Sequence, residues 1–298
     1  MSGVLHGAFG PALALAGWLI PRRIAKARRL SLAALLDMAP PAFVMTMLLL
    51  ATGRPIFAGI VVFALGAGFA FADRTMREVL REPVVFTALS ELPQVFTHPH
   101  LYLPFAGTGL VVGGAAVVVL AATGLLIVEP PLISTHPFVA GVVTAVVSLL
   151  LWRLGREPWL SCAADGLRRF RPSGEPFADA ARLGPFAMLL THGIIARAER
   201  AERRAKLSAP ALIAHTAPAR PIVLVQCESF FDARRALPAL ADHDLAGFDL
   251  ACASGTHGRL RVPAWGANTM RAEFAVLTGV AEEALGYDRF NAYHALAR

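Results

Sequence analysis

The chain has 298 residues, of which 56% are hydrophobic and only 16% charged, and its formal net charge is +7. Soluble globular domains carry about 25% charged residues, so this composition excludes an ordinary water-soluble fold for the whole chain. The positive charge gathers beside hydrophobic segments, as at Arg22, Arg23, Lys26, Arg28 and Arg29. With no recognised motif or aromatic interleaving around it, that pattern suits anionic headgroups and argues against a nucleic-acid partner.

Five hydrophobic segments follow one another at about 4–20, 30–51, 55–72, 104–128 and 134–152. The first lacks the charged start and small-residue cleavage site of a signal peptide, so it is expected to be retained. The second carries Asp37 and the pair Pro40-Pro41. A carboxylate in mid-membrane costs roughly 2.5–3.5 kcal/mol, so Asp37 is expected to face other helices or an interface, with an intramembrane function as the alternative. Within the fourth segment, AGTGLVVGGAAVVVLAATGLLIV (106–128) has no charge at all. About 20 such residues cross a bilayer core, and this run sets the class.

Between the third and fourth segments, residues 73–105 form a wet stretch broken by Pro83, Pro93 and Pro99. Its helical periodicity predicts an interfacial or loop-borne amphipathic element. His98 and His100 are a weak metal signal, since Pro99 separates them and no third ligand is near. Residues 157–218 read as a juxtamembrane linker, with the apolar run 183–196 as an interfacial helix. The three cysteines, Cys162, Cys227 and Cys252, have neither disulfide-framework nor zinc-site spacing.

At Pro218 the pattern changes. Ile222 to Gln226 is a continuous apolar run that reads as a buried parallel strand, with Glu228 just past its carboxyl end, where ligands collect in such sheets. On an extended strand Cys227 points away from Glu228 and is expected to be buried. Downstream, Asn268 is a good helix N-cap, Met270, Phe274 and Leu277 recur at helical spacing, and Gly279 is a natural stop. Thr269 therefore sits in a first helical turn, where outward-pointing N–H groups and the macrodipole favour an anion. A strand-end carboxylate and a helix-start hydroxyl are what metal-assisted phosphoryl transfer needs. The cation lowers the hydroxyl pKa, and the helix N-terminus stabilises the anions that form.

VLVQCESF (223–230), WGANTMRAEFAVLTGV (265–280) and LGYDRFNAY (285–293) together resemble the opening of the catalytic domain of lipoteichoic acid synthase-type phosphoglycerol transferases, in the sulfatase/alkaline phosphatase superfamily. The wet stretch REVLREPVVFTALSEL is similar to a loop those membrane enzymes carry. The resemblance implies Glu228 as a metal ligand, Thr269 as the metal-bound nucleophile, and Mn2+ or Mg2+ as the cation. Arg271, beside Thr269 in the motif, reads either as a solvent-facing residue or intrahelical partner of Glu273, or as a contact to substrate phosphate. It also implies a lipid substrate, a glycan or polyol acceptor, and a plasma-membrane protein of bacterial type working on the outer face. A phosphoethanolamine transferase, a sulfatase-like hydrolase and a non-catalytic membrane protein are the alternatives. Ala272 stands where similar sequences often have a second Thr.

The expected architecture is an α-helical transmembrane bundle of about five spans (1–156), the linker (157–218), and the N-terminal part of an α/β alkaline-phosphatase-like domain (219–298). The resemblance also implies an Asp-His pair and a further His far downstream of Thr269, and the sequence runs only to Arg298. The chain is accordingly expected to be the front of a longer or decayed enzyme, inactive alone. Loop charges place 22–29 and 74–81 in the cytoplasm. Five spans would then put Thr269 there too, against the family's outer face, unless 183–196 crosses or an early segment does not.

Overall fold

The computed structural model describes residues 2–27, 30–100, 107–132, 137–207, 223–227, 230–259, 261–263, 265 and 268–295. Among them every regular element is helical, and three helices are long and apolar enough to cross a membrane, or four if one bent pair counts as a span.

Helix α1 (Ser2–Ile24) runs beside α3 (Pro55–Val79). Gly10 lies against Gly59 and Gly17 against Gly66, so close that a methyl group on Gly10 would sit 2.0 Å from the Pro55 carbonyl oxygen. Both pairs rise together in sequence, so the helices are parallel. The seven-residue interval keeps each glycine on one stripe of its helix. Between them in sequence, α2 (Leu32–Thr52) ends at Gly53, whose φ of 66° only glycine adopts readily, and whose N–H bonds to the Leu49 carbonyl. Pro55 then opens α3 at the position where proline costs no hydrogen bond.

Helix α4 (Ala88–Thr97) lies in the wet stretch, of which the first part, to Val79, is still α3. Helix α5 (Thr108–Val128) is the uncharged run, and none of its residues is buried by protein. The next residue, Glu129, turns back to the start of α3 and accepts the N–H groups of Ile56 and Phe57, each at 2.8 Å. That capping ties two spans across more than seventy residues of sequence. Helix α6 (Pro137–Leu154) meets α7 (Trp159–Arg168) at a 77° bend.

Helix α8 (Pro176–Leu183) and α9 (Pro185–Leu207) complete the polar end of the molecule. The run expected as an interfacial helix lies in α9, where Ala187, Met188, Leu189, His192, Ile195 and Ala196 are buried by protein, and Met188 and Leu189 pack with Ala25, Ala27, Val84 and Ala180. Its apolar face is covered by α1's end, the wet stretch and α8 rather than by lipid. Asp37 anchors this junction. It is fully buried and accepts from Trp18 Nε1 at 2.8 Å, Arg22 at 2.8 Å and the Ala187 N–H at 3.0 Å. A carboxylate of α2 thus caps α9 at its third residue. Gly184 makes room for it, since a Cβ there would lie 2.2 Å from the Asp37 carboxyl carbon.

Past α9 come short 3-10 turns at Ala233–Arg235 and Pro238–Leu240, then α10 (Ala246–Ser254), α11 (Thr269–Thr278), α12 (Glu282–Leu285) and a 3-10 stretch at Gly286–Ala295. The expected parallel strand is not formed among the described residues. Val223 to Cys227 are exposed and irregular. A strand is stabilised by ladder partners, and nothing described here pairs with this segment. For the same reason Cys227 is exposed rather than buried.

Candidate functional site

Helix α11 begins and ends where the sequence places it. Asn268 precedes it, Thr269 is its first residue, and Gly279 closes it with φ 66° and an N–H to the Ala275 carbonyl. Phe274 is buried with Leu285, Ala292 and Ala295, whereas Leu277, read as part of the same face, is exposed. Thr269 itself is exposed at the helix start. Glu228 lies outside the described residues, so the pairing of Glu228 with Thr269 is not drawn from geometry.

Arg271 is neither solvent-facing nor paired with Glu273. It is 4% exposed and grips Glu82 through both carboxylate oxygens at 2.7 Å, with a further 3.3 Å bond to the Phe290 carbonyl. Glu82 comes from the wet stretch, just after α3. A bidentate guanidinium–carboxylate pair is directional as well as strong, so α11 is held in register with the end of α3. Asp73 extends the connection: this buried α3 residue accepts from Arg77 Nε at 2.7 Å and from the Val84 N–H at 2.8 Å.

The LGYDRFNAY segment is the second fastener. Asp288 is buried against Arg203 of α9 at 2.5 Å, and Arg289 donates to the Gly174 carbonyl at 2.7 Å and Glu175 at 2.9 Å. Tyr287 and Phe290 pack on the ring of His192, with centroids 4.7 Å and 6.3 Å away. His192 is completely buried and donates through Nε2 to Asp179 at 2.8 Å; its Nδ1 has no hydrogen-bond partner among the described residues.

Asp179 also accepts the N–H groups of Ser173 and Gly174 and the Ser173 hydroxyl, each at 2.9 Å. Burial pushes its carboxyl up, but these donors, His192 foremost, outweigh it and bring the pKa down to about 2. Burial, with the nearby Asp179 charge, raises the Tyr287 hydroxyl to about 12. These residues were not singled out from sequence. The readable signal was local only: Glu175 before Pro176 marks a helix start and Gly184-Pro185 a break, but nothing local announces Asp179 or Glu82 as partners of residues far along the chain.

No group of three or more His, Cys, Asp or Glu side chains close enough to hold a metal occurs among the described residues. His98 and His100 face each other with ring centroids 6.0 Å apart and no third ligand. The described residues therefore do not fit a divalent cation by themselves. Compared with family models, curated proteins and solved structures, the chain has no match in any of the three.

Proposed function

We propose that this chain is a membrane-anchored phosphoglycerol transferase of the sulfatase superfamily, with Thr269 as its nucleophile. The supporting observation is that the threonine of the WGANTMRAEF motif is the exposed first residue of a ten-residue helix. In this reading Thr269 Oγ bonds to the phosphorus of a lipid phosphoglycerol headgroup as the bond from phosphorus to the diacylglycerol oxygen breaks. The hydroxyl proton leaves on that oxygen. The threonine-bound phosphoglycerol, an anion, sits at the positive end of α11 until a glycan or polyol hydroxyl takes it. Glu228 and Thr269 would hold Mn2+ or Mg2+, with the remaining donors coming from outside the described residues, and no step is assigned to that cation.

In membranes containing the full native polypeptide and headgroup-labelled phosphatidylglycerol, Thr269→Ala is expected to abolish transfer and Thr269→Ser to retain part of it. Transfer by Thr269→Ala within roughly tenfold of the parent would remove the nucleophile assignment, because a lost nucleophile costs far more. A second reading, a non-catalytic membrane protein, is favoured by one observation: Arg271, offered for substrate phosphate, is buried against Glu82.

We place Thr269 and the polar end on the outer face, following the resemblance, although Arg22, Arg23 and Lys26 lie at that same end and the charge rule would put them inside. Cys162 on α7 is exposed and free. In a Cys227→Ser/Cys252→Ser background, a membrane-impermeant maleimide added to intact cells is expected to label it. Labelling only after lysis would put the polar end in the cytoplasm.

A further inference from the structure

The bend between α6 and α7 carries positive charge on α6, at the turn itself and on α9 beside it. α7 buries Ala164 and Leu167 with Ile195 of α9, so it packs on the polar end. The elbow at residues 155–158 is therefore the boundary between an apolar helix and a charged one. The Arg156 guanidinium stacks 4.1 Å from the Trp152 ring centre. From α9, the Arg197 guanidinium comes within 4.0 Å of where a Gly155 side chain would begin. Arg153 lies one turn earlier on α6.

These three arginines are exposed, and none has an ion-pair partner among the described residues. Their neighbours differ: Arg168, Arg203 and Arg289 are all committed to carboxylates. The carboxylate nearest in sequence, Glu157, accepts from the Ser161 hydroxyl at 2.6 Å. Arg153 and Arg156 lie one turn apart in sequence and Arg197 reaches Gly155 between them, so positive charge gathers at one elbow, where an anion relieves like-charge repulsion. Trp152 and Trp159 flank the cluster, each 52% exposed. Such half-wet indoles settle at headgroup depth, with the ring in the hydrocarbon margin and the N–H toward water.

We propose that the α6–α7 elbow binds the phosphate of an anionic glycerophospholipid of the surrounding bilayer. Arg153, Arg156 and Arg197 supply charge and forked donors, and Trp152 and Trp159 hold the elbow at headgroup level. Guanidinium pairs bidentately with phosphate, which is the geometry a phosphodiester offers. The site does not include Thr269 and stands whether or not the chain is a transferase.

The test uses the full chain in phosphatidylcholine nanodiscs doped with a small, equal fraction of acyl-brominated phosphatidylglycerol or acyl-brominated phosphatidylcholine. Bromine quenches nearby tryptophan, so a lipid enriched at the elbow quenches more than its bulk fraction. Brominated phosphatidylglycerol is expected to quench several-fold more strongly than brominated phosphatidylcholine. R153Q/R156Q/R197Q should bring the two to equality, and R153K/R156K/R197K should keep a measurable preference. Equal quenching by the two lipids in the parent overturns the proposal. So does a preference that survives the glutamine variant or is lost in the lysine variant.

Discussion

Gly66→Ala is expected to unseat α1 from α3 and lower the melting temperature of the detergent-solubilised protein by several degrees. Gly68→Ala, two residues away on the same helix, is expected to leave it unchanged or slightly raised. The added methyl at position 66 would lie 2.1 Å from the Gly17 carbonyl oxygen, whereas at position 68 it meets nothing within 4 Å. Backbone cannot rotate away as a side chain can, so the helices must separate. Overpacking of this kind costs about 1–3 kcal/mol. It also opens the contact at Gly10 and Gly59, because a rigid helix shifts as a unit. Alanine is otherwise the better helix former by about 1 kcal/mol, so the position 68 variant isolates the packing effect from propensity. The check is thermal unfolding followed by circular dichroism, with both variants in the same detergent. A Gly66→Ala protein as stable as the parent would mean that α1 and α3 do not touch through their glycines.

The parts of this molecule that were legible in the sequence are those whose stability is local. The spans at 30–51 and 55–72 and the uncharged run 106–128 appear as α2, α3 and α5, because an apolar helix satisfies its own backbone wherever its side chains end up. Helix α11 was readable for a similar reason: its start falls just after Asn268, whose side chain makes no capping bond, and Gly279 caps its end within the last turn. What depends on distant partners was not legible. The run 183–196 has the length and pattern of an interfacial helix, and only the tertiary arrangement of Ala25, Val84 and Ala180 makes it central. Arg271 and Glu82 are 189 residues apart, and neither residue's surroundings in sequence announce the other. The strand expected at 222–226 is the opposite case, a segment whose apolar pattern is clear but whose state depends on neighbours that the described residues do not provide.

Asp37→Ala is expected to be among the most damaging single changes in the chain, and the damage should be structural. The carboxylate is fully buried and joins three elements: Trp18 and Arg22 on α1, its own helix α2, and the Ala187 N–H at the start of α9. Removing it leaves the 3%-exposed Arg22 without its carboxylate, deprives an indole N–H of its acceptor, and strips a cap from α9. Breaking a buried pair from one side costs about 3–5 kcal/mol, mostly the desolvation of the charge left behind. Asp37→Asn keeps the size but loses the charge, and turns an amide NH2 toward donors. It should fall between the alanine variant and the parent. Arg22→Leu combined with Asp37→Leu should be less harmful than the two single losses added together, since neither charge is then stranded. The measurement is a double-mutant cycle on melting temperature in detergent. A functional intramembrane carboxylate would behave differently, with Asp37→Ala folding as well as the parent while failing only in activity. A melting temperature unchanged by Asp37→Ala would therefore return Asp37 to the candidates for transport or catalysis and remove it as the junction between the bundle and its polar end.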